Sequence, residues 1–170
     1  MPLFALEIRA QLENVTALRP ASDDYTLMVR TKCNSCHEEH PKLVGITPGS
    51  EIEMKGGRGT ADFVMSCSFC KRESSATFPQ PTSKAPLWRP YSPSPDSGPV
   101  WAPICTLDVR GMDIIGFEPE GIWSCQGTGE GSKLSKFDEV EFDGGEWTDY
   151  DEKSGEPVSI MELEGRWVRA

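Results

Sequence analysis

Two Cys-x-x-Cys pairs carry the clearest chemistry in this chain. Cys33 and Cys36 form the first pair, and Cys67 and Cys70 form the second pair after 30 intervening residues. The two-residue gap lets both thiolates of a pair face one ion, and two pairs complete a tetrahedron of sulfurs about 2.3 Å from the metal. Four soft thiolates suit zinc or iron, and the cysteine spacings are not those of ferredoxin clusters. The pattern predicts a structural zinc site, closed to a catalytic water.

Short runs typical of β-strands precede both pairs. Residues 26–30 lead into the first pair and residues 61–65 lead into the second. Both runs are rich in β-branched and apolar residues. We therefore expect each pair to lie at the tip of a β-hairpin, with the two tips facing one ion.

Disulfide bonding and thiol redox catalysis are the alternatives to zinc. The first residues show neither the basic nor the apolar region of a signal peptide. We therefore expect a cytoplasmic protein, in which this cysteine pattern more often binds metal than forms disulfides. A thioredoxin-type pair stands alone at a strand-to-helix junction, whereas this chain has two pairs with strand-like flanks. The sequence favours zinc, and a thiol redox enzyme stays as the second hypothesis.

Four further residues could take part in metal or thiol chemistry. His37 and His40 follow Cys36 closely, and either could replace a thiolate, but four cysteines already suffice. Cys105 lies in an alternating, strand-like run and is interpreted as a small buried hydrophobe. Cys125 lies in a glycine-rich segment, where we expect either an exposed thiol or a residue without a role.

Charge is distributed unevenly along the 170 residues, whose net charge is −10. Residues 1–80 carry nine basic and ten acidic groups, and residues 81–170 carry eight basic and 17 acidic groups. An acidic half repels phosphate backbones, so nucleic acid is not the expected ligand. No run reaches the roughly 18 apolar residues of a membrane helix, so no membrane association is expected either.

A proline-rich segment divides the chain near its middle. Eight prolines lie within residues 79–103, which are interpreted as a linker or extended loop because proline disrupts helix interiors and central strands. The predicted organisation is an N-terminal β unit with the zinc site at 1–78, this linker, and an acidic C-terminal β unit without zinc at 104–170. A single compact domain that contains all three parts is the alternative.

The two halves resemble each other at an offset of 99 residues. Residues 6–20 and 105–119 share apolar positions and both end on a proline, and 52–57 matches 140–145. Alternating patterns predict strands at 4–12, 25–31, 50–55, 61–66, 104–110, 138–143 and 157–168, and no window has a helical period over three turns. The predicted fold is all-β, an antiparallel β-sandwich with an internal pseudo-two-fold repeat.

Four motifs in this order make the chain resemble a known family. They are Cys33-Asn34-Ser35-Cys36, Lys55-Gly56-Gly57-Arg58-Gly59, Cys67-Ser68-Phe69-Cys70 and Trp147-Thr148-Asp149-Tyr150-Asp151-Glu152. The chain resembles the eukaryotic CXXC-motif-containing zinc-binding proteins over nearly its whole length except the proline-rich segment. The resemblance implies a zinc-bearing β fold with Cys33, Cys36, Cys67 and Cys70 as ligands, and it implies no established reaction.

Two other segments are candidate binding sites. Residues 55–59 could form an anion-binding nest, but a tight hairpin turn that joins two strands explains the glycines at no extra cost and is favoured. Residues 138–156 contain nine acidic residues and one lysine. This run is either a solvated face or a docking surface for a basic partner, centred on Trp147, Asp149, Tyr150, Asp151 and Glu152.

These observations predict a non-enzymatic zinc protein. No nucleophile elbow or histidine-rich pocket supports hydrolysis, and the chain has only two histidines. We expect an adaptor in protein–protein interaction or metal homeostasis, monomeric and without catalytic residues, whose partner is a basic protein.

Overall fold

The computed structural model describes residues 2–56, 59–128 and 135–170 of the chain, and these residues form strands, turns and loops without a helix. They therefore include no helix of the length and apolarity that a membrane crossing requires. The fourteen strands are β1 (Leu3–Glu13), β2 (Val15–Pro20), β3 (Leu27–Cys33), β4 (Val44–Ile46), β5 (Ile52–Glu53), β6 (Thr60–Ala61), β7 (Phe63–Ser66), β8 (Glu73–Thr77), β9 (Ala102–Arg110), β10 (Met112–Glu118), β11 (Trp123–Gly127), β12 (Lys136–Val140), β13 (Trp147–Asp151) and β14 (Glu156–Arg169). The prediction of an all-β fold is confirmed.

Antiparallel pairing assembles the strands into one large sheet and three small ones. The large sheet has six strands in the order β13-β14-β1-β9-β8-β7, and two three-stranded sheets have the orders β10-β3-β4 and β12-β11-β2. A two-stranded hairpin joins β5 to β6. A single buried cluster, with Leu6 and Ile8 of β1, Leu27 and Val29 of β3 and Trp123 of β11, connects the large sheet to both three-stranded sheets.

The sheet order repeats itself about a pseudo-two-fold axis between β1 and β9. Exchanging β1 with β9, β14 with β8 and β13 with β7 maps the large sheet onto itself. The same operation exchanges the two three-stranded sheets, because β2, β3 and β4 correspond to β10, β11 and β12. The internal repeat inferred from the apolar pattern is therefore present in the strand topology.

Strands of the two repeats exchange partners. The β10 strand of the second repeat pairs with β3 of the first, and β2 of the first pairs with β11 of the second. The predicted boundaries at residues 78 and 104 do not separate the sheets, because β8 and β9 on either side of the proline-rich segment are hydrogen-bonded neighbours. Each repeat thus completes sheets of the other.

The proline-rich segment is packed into the core through two of its aromatic residues. Trp88 and Tyr91 are each 1 % exposed. The backbone of Tyr91 pairs with Leu18 of β2, and its hydroxyl donates to the Val100 carbonyl at 2.6 Å. The buried rings of Trp88 and Tyr91 therefore anchor the segment to the rest of the fold and are not available as a recognition peptide.

Several predicted strands differ from the observed ones. The run at 50–55 forms only the two-residue β5, the run at 138–143 is shifted to β12, and β2, β4, β8, β10, β11 and β13 were not predicted as strands. Most of these strands are short or carry polar residues, so period-two alternation is weak in them. These strands form because they pair with a neighbouring strand, and the local sequence pattern contains no information about that pairing.

Candidate metal centre

Two loops of matching geometry present the four cysteines. Cys33 is the last residue of β3, and Cys67 directly follows β7. The amide of His37 donates to the Cys33 carbonyl at 3.0 Å, and the amide of Lys71 donates to the Cys67 carbonyl at 2.9 Å. His37 and Lys71 have positive φ values of 62° and 66°. Each loop therefore closes four residues after its first cysteine, as a zinc knuckle does.

The four sulfurs meet in one cluster. All Sγ atoms of Cys33, Cys36, Cys67 and Cys70 lie within 4.8 Å of one another. Cys33 and Cys70 have an Sγ–Sγ distance of 3.6 Å, and Cys36 and Cys67 have the same distance. Tetrahedral bonds of about 2.3 Å to a central zinc ion place sulfurs about 3.8 Å apart. The arrangement fits a four-thiolate zinc ion and brings together all four cysteines that the sequence singled out.

Backbone amides of each knuckle stabilise the first thiolate. The amides of Cys70 and Phe69 point at Cys67 Sγ and lower the pKa of this thiol to about 6, against the opposing effect of desolvation. The amides of Cys36 and Ser35 lower the pKa of Cys33 in the same way. At Cys36 the amide of Glu38 also lowers the pKa, but burial and the side chains of Cys67, Cys33 and Cys70 outweigh it and raise the pKa to about 12. A divalent cation at the centre removes this repulsion between the thiolates.

Gly111, at the turn between β9 and β10, lets the first knuckle approach β8. Its carbonyl accepts hydrogen bonds from the Asn34 amide at 3.3 Å and from the Ser74 hydroxyl at 3.1 Å. With φ of +79°, Gly111 lies so close to β8 that an added Cβ would be 2.6 Å from the carbonyl oxygen of Glu73. A turn of the second repeat thus contacts both the first knuckle and β8, the strand that follows the second knuckle.

Comparison with known proteins agrees with this site. A model of the family described as "CXXC motif containing zinc binding protein, eukaryotic" matches residues 5–168. The chain belongs to this family. Relatives named CXXC motif containing zinc binding protein are 34 % identical in Xenopus laevis and 33 % identical in Homo sapiens, each over 169 residues and 99 % of both chains. Family membership and the four-thiolate cluster together identify zinc as the cofactor.

Two solved structures share the fold. The crystal structure of C1orf123 is similar with a TM-score of 0.83 and 31 % identity, and the similarity covers 99 % of both chains. A hypothetical protein from Plasmodium falciparum is similar with a TM-score of 0.80 and 21 % identity over 99 % of this chain and 100 % of that one. The all-β architecture extends across these proteins.

In this family member, the second repeat keeps the shape of a knuckle without its cysteines. Asp151, at the end of β13, corresponds to Cys67 at the end of β7. Its carbonyl accepts from the Gly155 amide at 2.8 Å, and its Oδ1 accepts from the amides of Lys153 and Ser154 at 3.0 and 3.4 Å. The Ser135 hydroxyl donates to the same oxygen at 2.7 Å. A buried carboxylate has taken the place of a thiolate and accepts hydrogen bonds from the amides at the same two loop positions.

The histidines and the other two cysteines lie outside the sulfur cluster. Among the described residues, the metal-binding group contains the four cysteines and neither His37 nor His40. Cys105 is 4 % exposed in the core, as its strand-like run predicted. Cys125 is 2 % exposed within β11, which excludes the exposed thiol of the two alternatives predicted for it. Burial raises the pKa of Cys125 to about 12.

The segment at 55–59 binds a carboxylate of its own chain. The amides of Lys55 and Gly56 donate to the Glu73 carboxylate at 2.8 and 3.3 Å. The segment connects β5 and β6, which pair with each other, while Gly57 and Arg58 lie outside the described residues. The amides of Lys55 and Gly56 thus hold an internal carboxylate, whereas the tight turn stays a prediction because its central residues are not described.

The acidic run at residues 138–156 is only partly exposed to solvent. Tyr150 is 54 % exposed and Asp149 and Glu152 are exposed, but Asp151 is 2 % exposed. Trp147 is half-buried, with its ring centroid 5.5 Å from that of Phe137. Asp151 therefore cannot contact a partner, and the exposed part of the predicted docking surface is reduced to Asp149, Tyr150 and Glu152.

Proposed function

We propose that Cys33, Cys36, Cys67 and Cys70 ligate one zinc ion whose role is structural, and that the protein is a non-enzymatic adaptor. The closed cluster of four sulfurs supports the proposal most strongly. Four thiolates fill a tetrahedral zinc ion, so no position remains for a substrate or an activated water. The ion joins loops that follow β3 and β7, two strands that belong to different sheets.

Metal analysis of two cysteine variants tests the ligand assignment. Cys67→Ser removes a proposed ligand, and Cys105→Ser removes a buried cysteine outside the cluster. We expect one zinc per chain in the parent protein and in Cys105→Ser, and a loss of stoichiometric zinc in Cys67→Ser. Because binding at a structural site contributes on the order of 10 kcal/mol to folding, zinc loss should also lower thermal stability. Full zinc occupancy in Cys67→Ser would show that the assignment is wrong.

A thiol redox enzyme is the second candidate, because the second Cys-x-x-Cys pair has a lowered pKa at the buried Cys67 and an exposed thiol at Cys70. Thiolate character and access are the two requirements of a reactive cysteine. Zinc bound to all four sulfurs would suppress this reactivity. Turnover of a disulfide substrate such as insulin by the zinc-loaded protein would favour the enzyme. A lack of turnover together with one tightly held zinc ion favours the structural site.

The adaptor role is proposed to depend on an acidic edge, defined as Asp149, Tyr150 and Glu152 of β13 and its following turn. β13 is an outer strand of the six-stranded sheet. Asp149 Oδ1 accepts from the Tyr150 amide at 2.7 Å, which blocks a backbone donor that could pair with an added strand. Side-chain contacts rather than strand addition are therefore expected, with an exposed aromatic ring between two carboxylates.

Charge reversal at the acidic edge tests the expected basic partner. Asp149→Lys with Glu152→Lys is compared with Asp113→Lys and Glu118→Lys, which make the same charge change on the exposed positions of β10. Binding of a fluorescent decalysine peptide is measured by anisotropy at low and physiological salt. We expect the edge variant to bind several-fold more weakly than the β10 variant and to lose most of its salt dependence. Equal weakening in both variants would make the edge an ordinary solvated face.

We further propose a monomer in the cytoplasm that binds neither nucleic acid nor membranes. The net charge of −10 supports the exclusion of nucleic acid. Light scattering after size exclusion tests the monomer, and fractionation of cells tests the location.

A further inference from the structure

The outer face of the large sheet contains a depression whose floor is small and uncharged. Ala5 of β1 lies directly between Val168 of β14 and Thr106 of β9, so the three side chains share one face. Ala5 is 6 % exposed although it points away from the main core. Another segment of the chain therefore covers this face of the sheet at Ala5.

The cover is the first part of the proline-rich segment. Pro79, Pro86 and Leu87 line a cavity of about 340 Å³ together with the floor residues and Pro103. Two contacts hold this wall in place: the buried Trp88 beside Leu87, and the Arg89 amide, which donates to the Ile104 carbonyl at 2.8 Å. The volume lies at the lower end of the range of small-molecule sites, which are usually preformed and mostly apolar.

Two arginines stand at the rim of this apolar cavity. Arg89 comes from the proline-rich wall and Arg169 from β14, and both line the cavity. Neither guanidinium has an ion pair or hydrogen bond with the described residues. The carboxylate of Glu7, which also lines the cavity, is already paired with Arg166 at 2.7 Å. The cavity therefore has two arginines without an ion pair to the described residues beside a mostly apolar interior.

The opposite end of the same face is closed. The ring of Trp101 lies 4.3 Å from Arg166 Cζ and 4.6 Å from Arg9 Cζ, so two guanidinium groups and a tryptophan cover the sheet next to Glu7. Arg9 and Arg166 are thus engaged with Trp101, and the arginines that line the cavity are Arg89 and Arg169.

We propose that this cavity binds a small organic acid with an apolar body, whose carboxylate pairs with Arg89 and Arg169 while its hydrocarbon lies on Ala5, Val168 and Leu87. Guanidinium groups match carboxylates in geometry and charge, and the apolar walls favour a hydrocarbon over water. The net charge of −10 opposes long-range attraction of an anion. Recognition must therefore combine the local ion pairs with the apolar body, and a bare anion such as acetate binds weakly.

Titration with decanoate and 1-decanol tests this site in the full, zinc-loaded chain. Both probes have the same hydrocarbon body, and only decanoate carries the charge. We expect decanoate to bind about tenfold more tightly or better, as charge-assisted hydrogen bonds at the rim predict. Amide chemical shifts should change at Ala5, Thr106 and Val168. Decanoate binding no tighter than decanol, or shift changes confined to another surface, would overturn the proposal.

Three variants separate the rim from the floor. Arg89→Gln with Arg169→Gln should weaken decanoate about tenfold and leave decanol unchanged. Ala5→Leu fills the floor and should abolish binding of both probes, while keeping both arginines. Arg30→Gln, at an exposed arginine of β3 outside the cavity, is the matched control and should bind like the parent protein. Undiminished decanoate binding by the double arginine variant, or by Ala5→Leu, would contradict the proposal.

Discussion

Trp88 should contribute more to stability than any other residue of the proline-rich segment. Its side chain is 1 % exposed, and its Nε1 donates to the Asp23 carbonyl at 3.1 Å. The ring lies 5.7 Å from that of Tyr25 in an edge-on arrangement and 5.4 Å from that of Phe78 in a tilted one. One side chain thus joins the segment to the loop before β3 and to the end of β8.

The expected cost of Trp88→Ala follows from these contacts. A buried tryptophan removes about 200 Å² from water, and at roughly 25 cal/mol per Å² this area contributes about 5 kcal/mol. The truncation also leaves the Asp23 carbonyl without its donor, which costs on the order of 1 kcal/mol. Partial collapse of the cavity and retention of the alanine methyl offset part of the sum. We expect a loss of about 3–5 kcal/mol, the range measured for buried aromatic-to-alanine changes.

Urea unfolding at fixed zinc concentration measures the loss, with Trp101→Ala as the matched control. Trp101 belongs to the same segment but is half-buried, and its two cation–π contacts contribute about 0.5–1 kcal/mol each. The control should therefore lose about 1–2 kcal/mol, and zinc content should stay at one per chain in both variants. If Trp88→Ala lost no more than Trp101→Ala, the segment would be a peripheral loop and the anchoring argument would fail.

Three further measurements probe other parts of the fold. Gly111→Ala places a Cβ 2.6 Å from the Glu73 carbonyl oxygen at a φ of +79°, and its free energy of unfolding in urea should fall by at least about 2 kcal/mol. Gly98 has a φ of +69° and open space around it, so Gly98→Ala should lose about 1 kcal/mol. Equal losses in the two variants would refute the close approach at Gly111. The Ser135 hydroxyl and two backbone amides lower the pKa of Asp151, so its stabilisation is complete above about pH 4 and is lost as the pH falls through the lower folded-state pKa. The difference in melting temperature between the parent and Asp151→Asn should therefore stay constant from pH 7 to about pH 4 and shrink as the pH falls further, and a difference unchanged below pH 4 would contradict this. Burial raises the pKa of the Cys105 thiol, so N-ethylmaleimide should modify it slowly until the protein unfolds, and rapid native-state labelling would contradict its burial.

Local sequence pattern predicts the long strands of this fold and misses several short ones. The long strands β1, β9 and β14 have clear apolar alternation and were predicted nearly in full. β11 and β13 were not, because β11 is short and glycine-bounded and β13 carries exposed acids on an outer edge. Such strands exist through their partners, and partner choice depends on contacts distant in sequence.

The sequence by itself determined the metal chemistry. Four cysteines in two pairs are a local signal, since two-residue spacing is sufficient to direct both thiolates of a knuckle at one ion. The same local information predicted the all-β class and the internal repeat, because apolar alternation is repeated at an offset of 99 residues.

Only the tertiary structure decided how the repeats fit together and which polar residues are exposed. The exchange of β2 and β10 between the repeats, the burial of Trp88 and Tyr91 within a proline-rich segment and the cavity over Ala5 all arise from long-range packing. Asp151 illustrates the physical reason. In the sequence it is one acid in an acidic run, but the Ser135 hydroxyl and two loop amides satisfy one of its oxygens inside the protein, so the fold can bury a charge that composition alone places in water.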